Sequence, residues 1–146
     1  MIENVDHIII AVEDLESAEE NYTKIFGIEP VWRGFHNELG TSNVLFNFEN
    51  TYFELLAAKG EGLGAELVKN MIKEKGEVLI GIVFGTKNIN QCSSRLKEMG
   101  YSISEISDGE GIDGKTNQIR NWNMEFVQGD ISVSYTHLTL PTNREV

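Results

Sequence analysis

Three histidines, one cysteine and a surplus of carboxylates are the groups in this 146-residue chain whose chemistry could carry a function. His7 lies in an apolar, β-branched run, VDHIIIAV. A neutral imidazole there suits Mn, Fe, Co, Ni or Zn; the alternative is a core histidine hydrogen-bonded to backbone. Glu54 lies in TYFELLA, between Phe53 and Leu55. A carboxylate is costly to bury among such neighbours unless it is paired or metal-bound; the alternative is a strand-edge glutamate facing water. His36 precedes Gly40 and Thr41. Its near-neutral pKa suits proton transfer, unless it is a surface-loop residue. Cys92 is the only cysteine, so neither an internal disulfide nor a thiolate zinc site is expected. Its place on an apolar helix face favours packing over reactivity. Gly109-Glu-Gly111 matches no nucleotide-binding loop and reads only as a loop.

The elements that must position these groups follow from periodicity and punctuation. Residues 5–12 read as a buried strand. Asp14 is an N-cap candidate, Leu15, Ala18, Tyr22, Ile25 and Phe26 share one helical face, and Gly27 stops the helix. Residues 31–35, 43–48 and 51–57 read as extended, with a turn at Glu49-Asn50, giving the order βαβββ. Leu63, Leu67, Met71 and Ile72 mark a connecting helix that ends near Gly76. The pattern then restarts: a strand over 78–84, an N-cap at Asn88, and Ile89, Cys92, Leu96 and Met99 on a helix closed by Gly100. A strand over 101–106, a loop over 108–114 and a strand over 118–127 follow. The halves superpose at an offset of 74 residues, with Val5 on Leu79, Ile8 on Ile82 and Asp14 on Asn88. A repeat of this size implies two equivalent modules.

Composition narrows the partners. With 40% hydrophobic and 24% charged residues, the chain is an ordinary globular protein rather than a disordered one. Its 12 Lys+Arg against 23 Asp+Glu give a net charge of −11, which argues against nucleic acid and anionic membrane surfaces. No apolar run approaches the roughly 18 residues of a membrane span. The opening residues lack the pattern of a signal peptide, so a cytoplasmic location is expected.

The last segment stands apart. Residues 133–142, VSYTHLTLPT, resemble the translated adapter of a transposase-made sequencing library. After a leading CT, the adapter bases GTC TCT TAT ACA CAT CTG ACG CTG CCG ACG encode that run, and the CT restricts residue 132 to Ser, Pro, Thr or Ala; it is Ser132. β propensity alone would make a strand of 131–138. The expectation is a non-native tail over 133–146, which leaves His137 out of any ligand set. The expected organisation is one domain over 1–132: module one at 1–58, a connecting helix at 59–76 and an incomplete module two at 77–132. An unfinished module would expose a sheet edge and leave the literal chain inactive and prone to aggregate.

The tandem βαβββ pattern headed by VDHIIIAVEDLESAEENYTKIFG resembles the vicinal oxygen chelate superfamily. The run His36-Asn-Glu-Leu-Gly40-Thr41-Ser-Asn43, then Tyr52-Phe-Glu54-Leu, then Asp113-Gly114 with Trp122, is similar to the superfamily's glyoxalase-like domain family. The resemblance spans residues 3 to about 128. It implies an α+β fold whose two modules form an open cupped mixed sheet, the second truncated. It implies a divalent metal ion held by the first and fourth strands of each module, hence by His7 and Glu54. His36 would be the catalytic acid/base. Arg33, Asn43, Tyr52, Gln118, Arg120 and Trp122 would line the cup around a small-molecule substrate, and a homodimer is compatible. At the repeat offset His7 falls on Gly81, which offers no ligand. The expected function is a metal-dependent lyase, isomerase or dioxygenase acting on vicinal oxygens. The rival is a non-catalytic drug- or toxin-binding protein, with Trp32 or Trp122 as a stacking face and its acidity favouring cations.

Overall fold

The computed structural model describes residues 1–128 and 135–139, residue 128 and the last five by backbone alone. Module one comprises β1 (Ile2–Ala11), α1 (Leu15–Phe26), β2 (Trp32–His36), β3 (Thr41–Asn47) and β4 (Tyr52–Ala58). The helix α2 (Leu63–Lys75) connects it to β5 (Val78–Thr86), α3 (Ile89–Glu98), β6 (Ser102–Ile103), β7 (Ser107–Asp113), β8 (Ile119–Gln128) and β9 (Tyr135–Thr139). The caps sit where side-chain chemistry places them. Asp14 accepts from Ser17 N and Asn88 from Gln91 N, each at 3.0 Å. Gly27, in the left-handed region at φ 68°, ends α1.

The sheet repeats one pairing scheme twice. β4 lies parallel to β1 and antiparallel to β3; β9 lies parallel to β5 and antiparallel to β8. β6 and β7 run end to end along one edge of β8, so the sheet is eight strands wide. β1 and β5 join the modules along nearly their whole length. At the other side the curled sheet meets itself over two residue pairs only, Gly34 with Asp113 and Phe35 with Ile112. Tyr135–Thr139 holds the fourth-strand place of module two, with position 137 against Val83 and Phe126 as Glu54 stands against Ile9 and Leu45. The rest of the segment read as a foreign tail lies outside the described residues.

Strand alternation divides the side chains between two faces. Val44, Phe46, Leu55 and Ala57 pack outward against α1, where Phe26 meets Phe46, Phe48 and Phe53 at 5.0–5.4 Å. Ile89 and Cys92 of α3 pack on Phe84, Ile106 and Val127. Val68 and Met71 of α2 pack on Ile9, Ala11, Ile80 and Val83, with Leu56 and Ala58 beside them, and cover one end of the concave face. Among the described residues no helix is long and apolar enough to cross a membrane.

Three expectations need correction. Residues 108–114 are not a loop: they lie largely in β7, while the expected strand at 101–106 holds only the two-residue β6. The glycines there make room rather than turns, because a Cβ on Gly109 would overlap the Trp122 indole. Ile25 and Met99 do not join the buried faces; they are 70% and 60% exposed, since the apolar stripes of these short helices are narrower than their spacing suggested.

Candidate functional site

The site begins with an irregularity in β1. The β1–β5 register shifts between Val5 and His7, making Asp6 the extra residue of a bulge. Simple alternation would turn Asp6 away from His7; instead Asp6 Oδ2 lies 2.8 Å from His7 Nδ1. The other ring nitrogen, Nε2, lies 3.3 Å from Glu54 Oε1 on the neighbouring β4. Glu54 is buried and its second oxygen accepts from Asn43 Nδ2 at 2.7 Å. Asn43 Oδ1 in turn accepts from Trp32 Nε1 at 3.2 Å. The result is a relay of fixed groups, Trp32 to Asn43 to Glu54, with His7 held from its other side by Asp6.

His36 ends β2 on the same face as Trp32. Its Nδ1 is 2.8 Å from Thr41 Oγ1, and its ring meets Trp122 edge-on at 6.0 Å. Arg120 places its guanidinium 4.3 Å from the centre of the Trp32 ring. Tyr52 is buried and shares the face of Glu54 by alternation. His7, Glu54, Asn43, Tyr52, His36, Arg120 and Trp122 therefore come together on the concave face. Arg33 and Gln118 do not. Arg33 points to the opposite face and binds Glu19 of α1 through two nitrogens, at 2.5 and 3.2 Å. Gln118 is exposed in the turn before β8, where its carbonyl accepts from Asp113 N.

Charge and burial set the protonation states. Burial lowers the pKa of His7, but the hydrogen bonds and charges of Asp6 and Glu54 outweigh it and raise it to about 9. Burial raises the pKa of Glu54, yet His7, His36 and Asn43 hold it below the ordinary carboxylate range. Burial dominates at His36 and pushes it down, leaving a neutral ring near pH 7.

The donor set fits a divalent ion in part. Nε2 of His7 and Oε1 of Glu54 are suitable ligand atoms in mutual reach, each with its other atom already engaged. Gly81 adds nothing from module two, and among the described residues no three or more His, Cys, Asp and Glu are arranged to hold a metal ion together. Sequence reasoning missed Asp6, because a bulge leaves no residue signature, and also Glu125. Glu125 is fully buried, and neither of its oxygens has a hydrogen-bond partner among the described residues.

Comparison with known proteins agrees with this architecture. Residues 5–142 match the family described as glyoxalase-like domain. An ethylmalonyl-CoA/methylmalonyl-CoA epimerase of Cereibacter sphaeroides is 30% identical over 118 residues, 79% of this chain and 85% of that protein. Methylmalonyl-CoA epimerase from Mycobacterium tuberculosis superposes with a TM-score of 0.76 at 19% identity, covering 98% of this chain and 91% of that one. The Streptomyces coelicolor methylmalonyl-CoA epimerase in complex with 2-nitronate-propionyl-CoA gives 0.74 at 20%, covering 97% and 96%. The chain belongs to the glyoxalase-like domain family, within the vicinal oxygen chelate superfamily.

Proposed function

We propose that this protein is a divalent-metal-dependent enzyme of the isomerase type, acting on a small substrate with two vicinal oxygens. The observation that carries this reading is the Asp6–His7–Glu54 array. A metal-binding histidine commonly gives its second ring N–H to a carboxylate, which fixes tautomer and ring plane. Asp6 is placed to do this, leaving Nε2 directed at Glu54. A bound ion would supply Lewis acidity at the substrate oxygens. Asn43 and Trp32 keep Glu54 oriented. His36, neutral and anchored by Thr41, would take and return the proton at Nε2. Arg120 offers a fixed positive charge to oxygen on which negative charge develops. A further ligand would come from the fourth strand of module two, at the register of position 137. The native residue there, if 133–146 is foreign, is the one to identify.

Lyase and dioxygenase chemistry suit the same fold; the epimerase names of the relatives favour isomerisation. The test is hydrogen–deuterium exchange by NMR on protein loaded with Mn, Co, Ni or Zn. The panel holds dihydroxyacetone, lactaldehyde, methylmalonate and methylmalonyl-CoA. Metal-dependent exchange in one of them, lost in His36→Gln, is expected; no exchange in any, with metal bound, contradicts the reading.

One observation favours a second reading, a non-catalytic binder: Gly81 faces β1 where a matching ligand would stand. Thermal shift separates the two. Stabilisation by micromolar divalent ion belongs to the enzyme, and indifference to metal with stabilisation by an organic ligand belongs to the binder.

A further inference from the structure

The short seam between β2 and β7 leaves an opening in the wall of the cup. Pairing stops at Phe35–Ile112. Beyond it the end of β2 departs from β7, and a cavity of about 570 Å³ fills the gap. His36 and Trp122 line it with three carboxylates, Glu38, Asp108 and Glu110, and no lysine or arginine is among the lining residues. The Trp122 indole lies against Gly109 and Gly111, where any side chain would displace it. Asp108 accepts from Asn123 Nδ2 at 2.6 Å, whereas Glu38 and Glu110 make no ion pair among the described residues. His36 is 8% exposed; Thr41 takes its Nδ1, and Nε2 has no partner among the described residues.

We propose that this opening binds an organic cation stacked against Trp122 and rimmed by Glu38, Asp108 and Glu110. The ligand would be a compact amine or aromatic cation rather than a polyanionic thioester. An indole face attracts cations through its quadrupole. Carboxylates around an opening concentrate positive charge and repel phosphates. His36 Nε2, on the cavity wall, adds one acceptor for an N–H of the ligand. This goes beyond the reading above, whose substrate bears vicinal oxygens, and does not rest on it. The cation site stands or falls separately from the metal.

The experiment is a tryptophan-fluorescence titration of the full chain with N-methylquinolinium, 2-naphthoate and coenzyme A, at low salt and with chelator present. Metal affinity is measured in a separate calorimetric titration, so failure of the metal reading leaves this result untouched. N-methylquinolinium should bind at least tenfold more tightly than either anion. Glu38→Gln and Glu110→Gln should each weaken it about threefold. Trp122→Leu should weaken it about tenfold. Trp122→Phe keeps a ring and should retain most of the binding, which guards against a folding defect in the leucine variant. Equal or tighter binding of 2-naphthoate or coenzyme A, or Glu38→Gln and Glu110→Gln variants that bind the cation unchanged, would overturn the proposal.

Discussion

The two modules share a backbone plan and differ in what they place on it. Strand register sets Gly81 where module one has His7, Met124 where it has Asn43, and Gly109 where it has His36. Trp122 stands at the place of Thr41, and Glu125 at the place of Val44. Module one thus holds His7, Glu54, Asn43 and His36. Module two contributes wall, room, an aromatic face, the Arg120 guanidinium and the Asp108 and Glu110 carboxylates. It also carries Glu125, a carboxylate in the layer beneath α3 where the first module packs an apolar valine.

That exchange of core residues offers the strongest ways to break the comparison. Val44→Glu should destabilise the protein by about 4 kcal/mol, because Val44 is 2% exposed among apolar neighbours. Denaturant unfolding checks this, and a loss under 1 kcal/mol would mean the two layers are not alike. The converse change, Glu125→Val, should stabilise by about 1–3 kcal/mol by removing a buried carboxylate that has no partner among the described residues. A loss of stability there would show that Glu125 has an essential partner.

Next in size is a pH effect from module one alone. His7 is raised from 6.5 to about 9, so its contribution is complete below pH 6.5 and lost as pH climbs through about 9. Glu54 is depressed, so its contribution is complete above its ordinary value of 4.5 and lost as pH falls through its lower folded value. The metal-free protein should therefore lose stability between pH 6.5 and about 9, and His7→Gln should flatten that slope. A slope unchanged in the variant would place the titration elsewhere. The smallest effect is expected at Arg33→Ala, under about 1 kcal/mol and without change in metal affinity, since its ion pair with Glu19 is on the outer surface.

Much of this was legible because it depends on periodicity and capping. Asp14, Asn88 and Gly27 mark helix ends through their own chemistry, and the 74-residue repeat fixes the tandem plan. His7 and Glu54 could be paired because first and fourth strands are neighbours in such a module. What escaped depends on contacts distant in sequence. Gly109 and Gly111 read as a loop because the indole they accommodate lies across a ladder in β8. Asp6 escaped because a bulge suspends alternation. Arg33 is different: with Trp32, Gly34 and His36 on one face, alternation alone would have sent it outward.

Isothermal titration with Zn or Mn asks whether His7 and Glu54 hold a divalent ion. One ion per chain is expected, with affinity falling at least tenfold in both His7→Ala and Glu54→Gln and about tenfold in Asp6→Asn. No binding by the unaltered chain, or binding unchanged in His7→Ala, would contradict it.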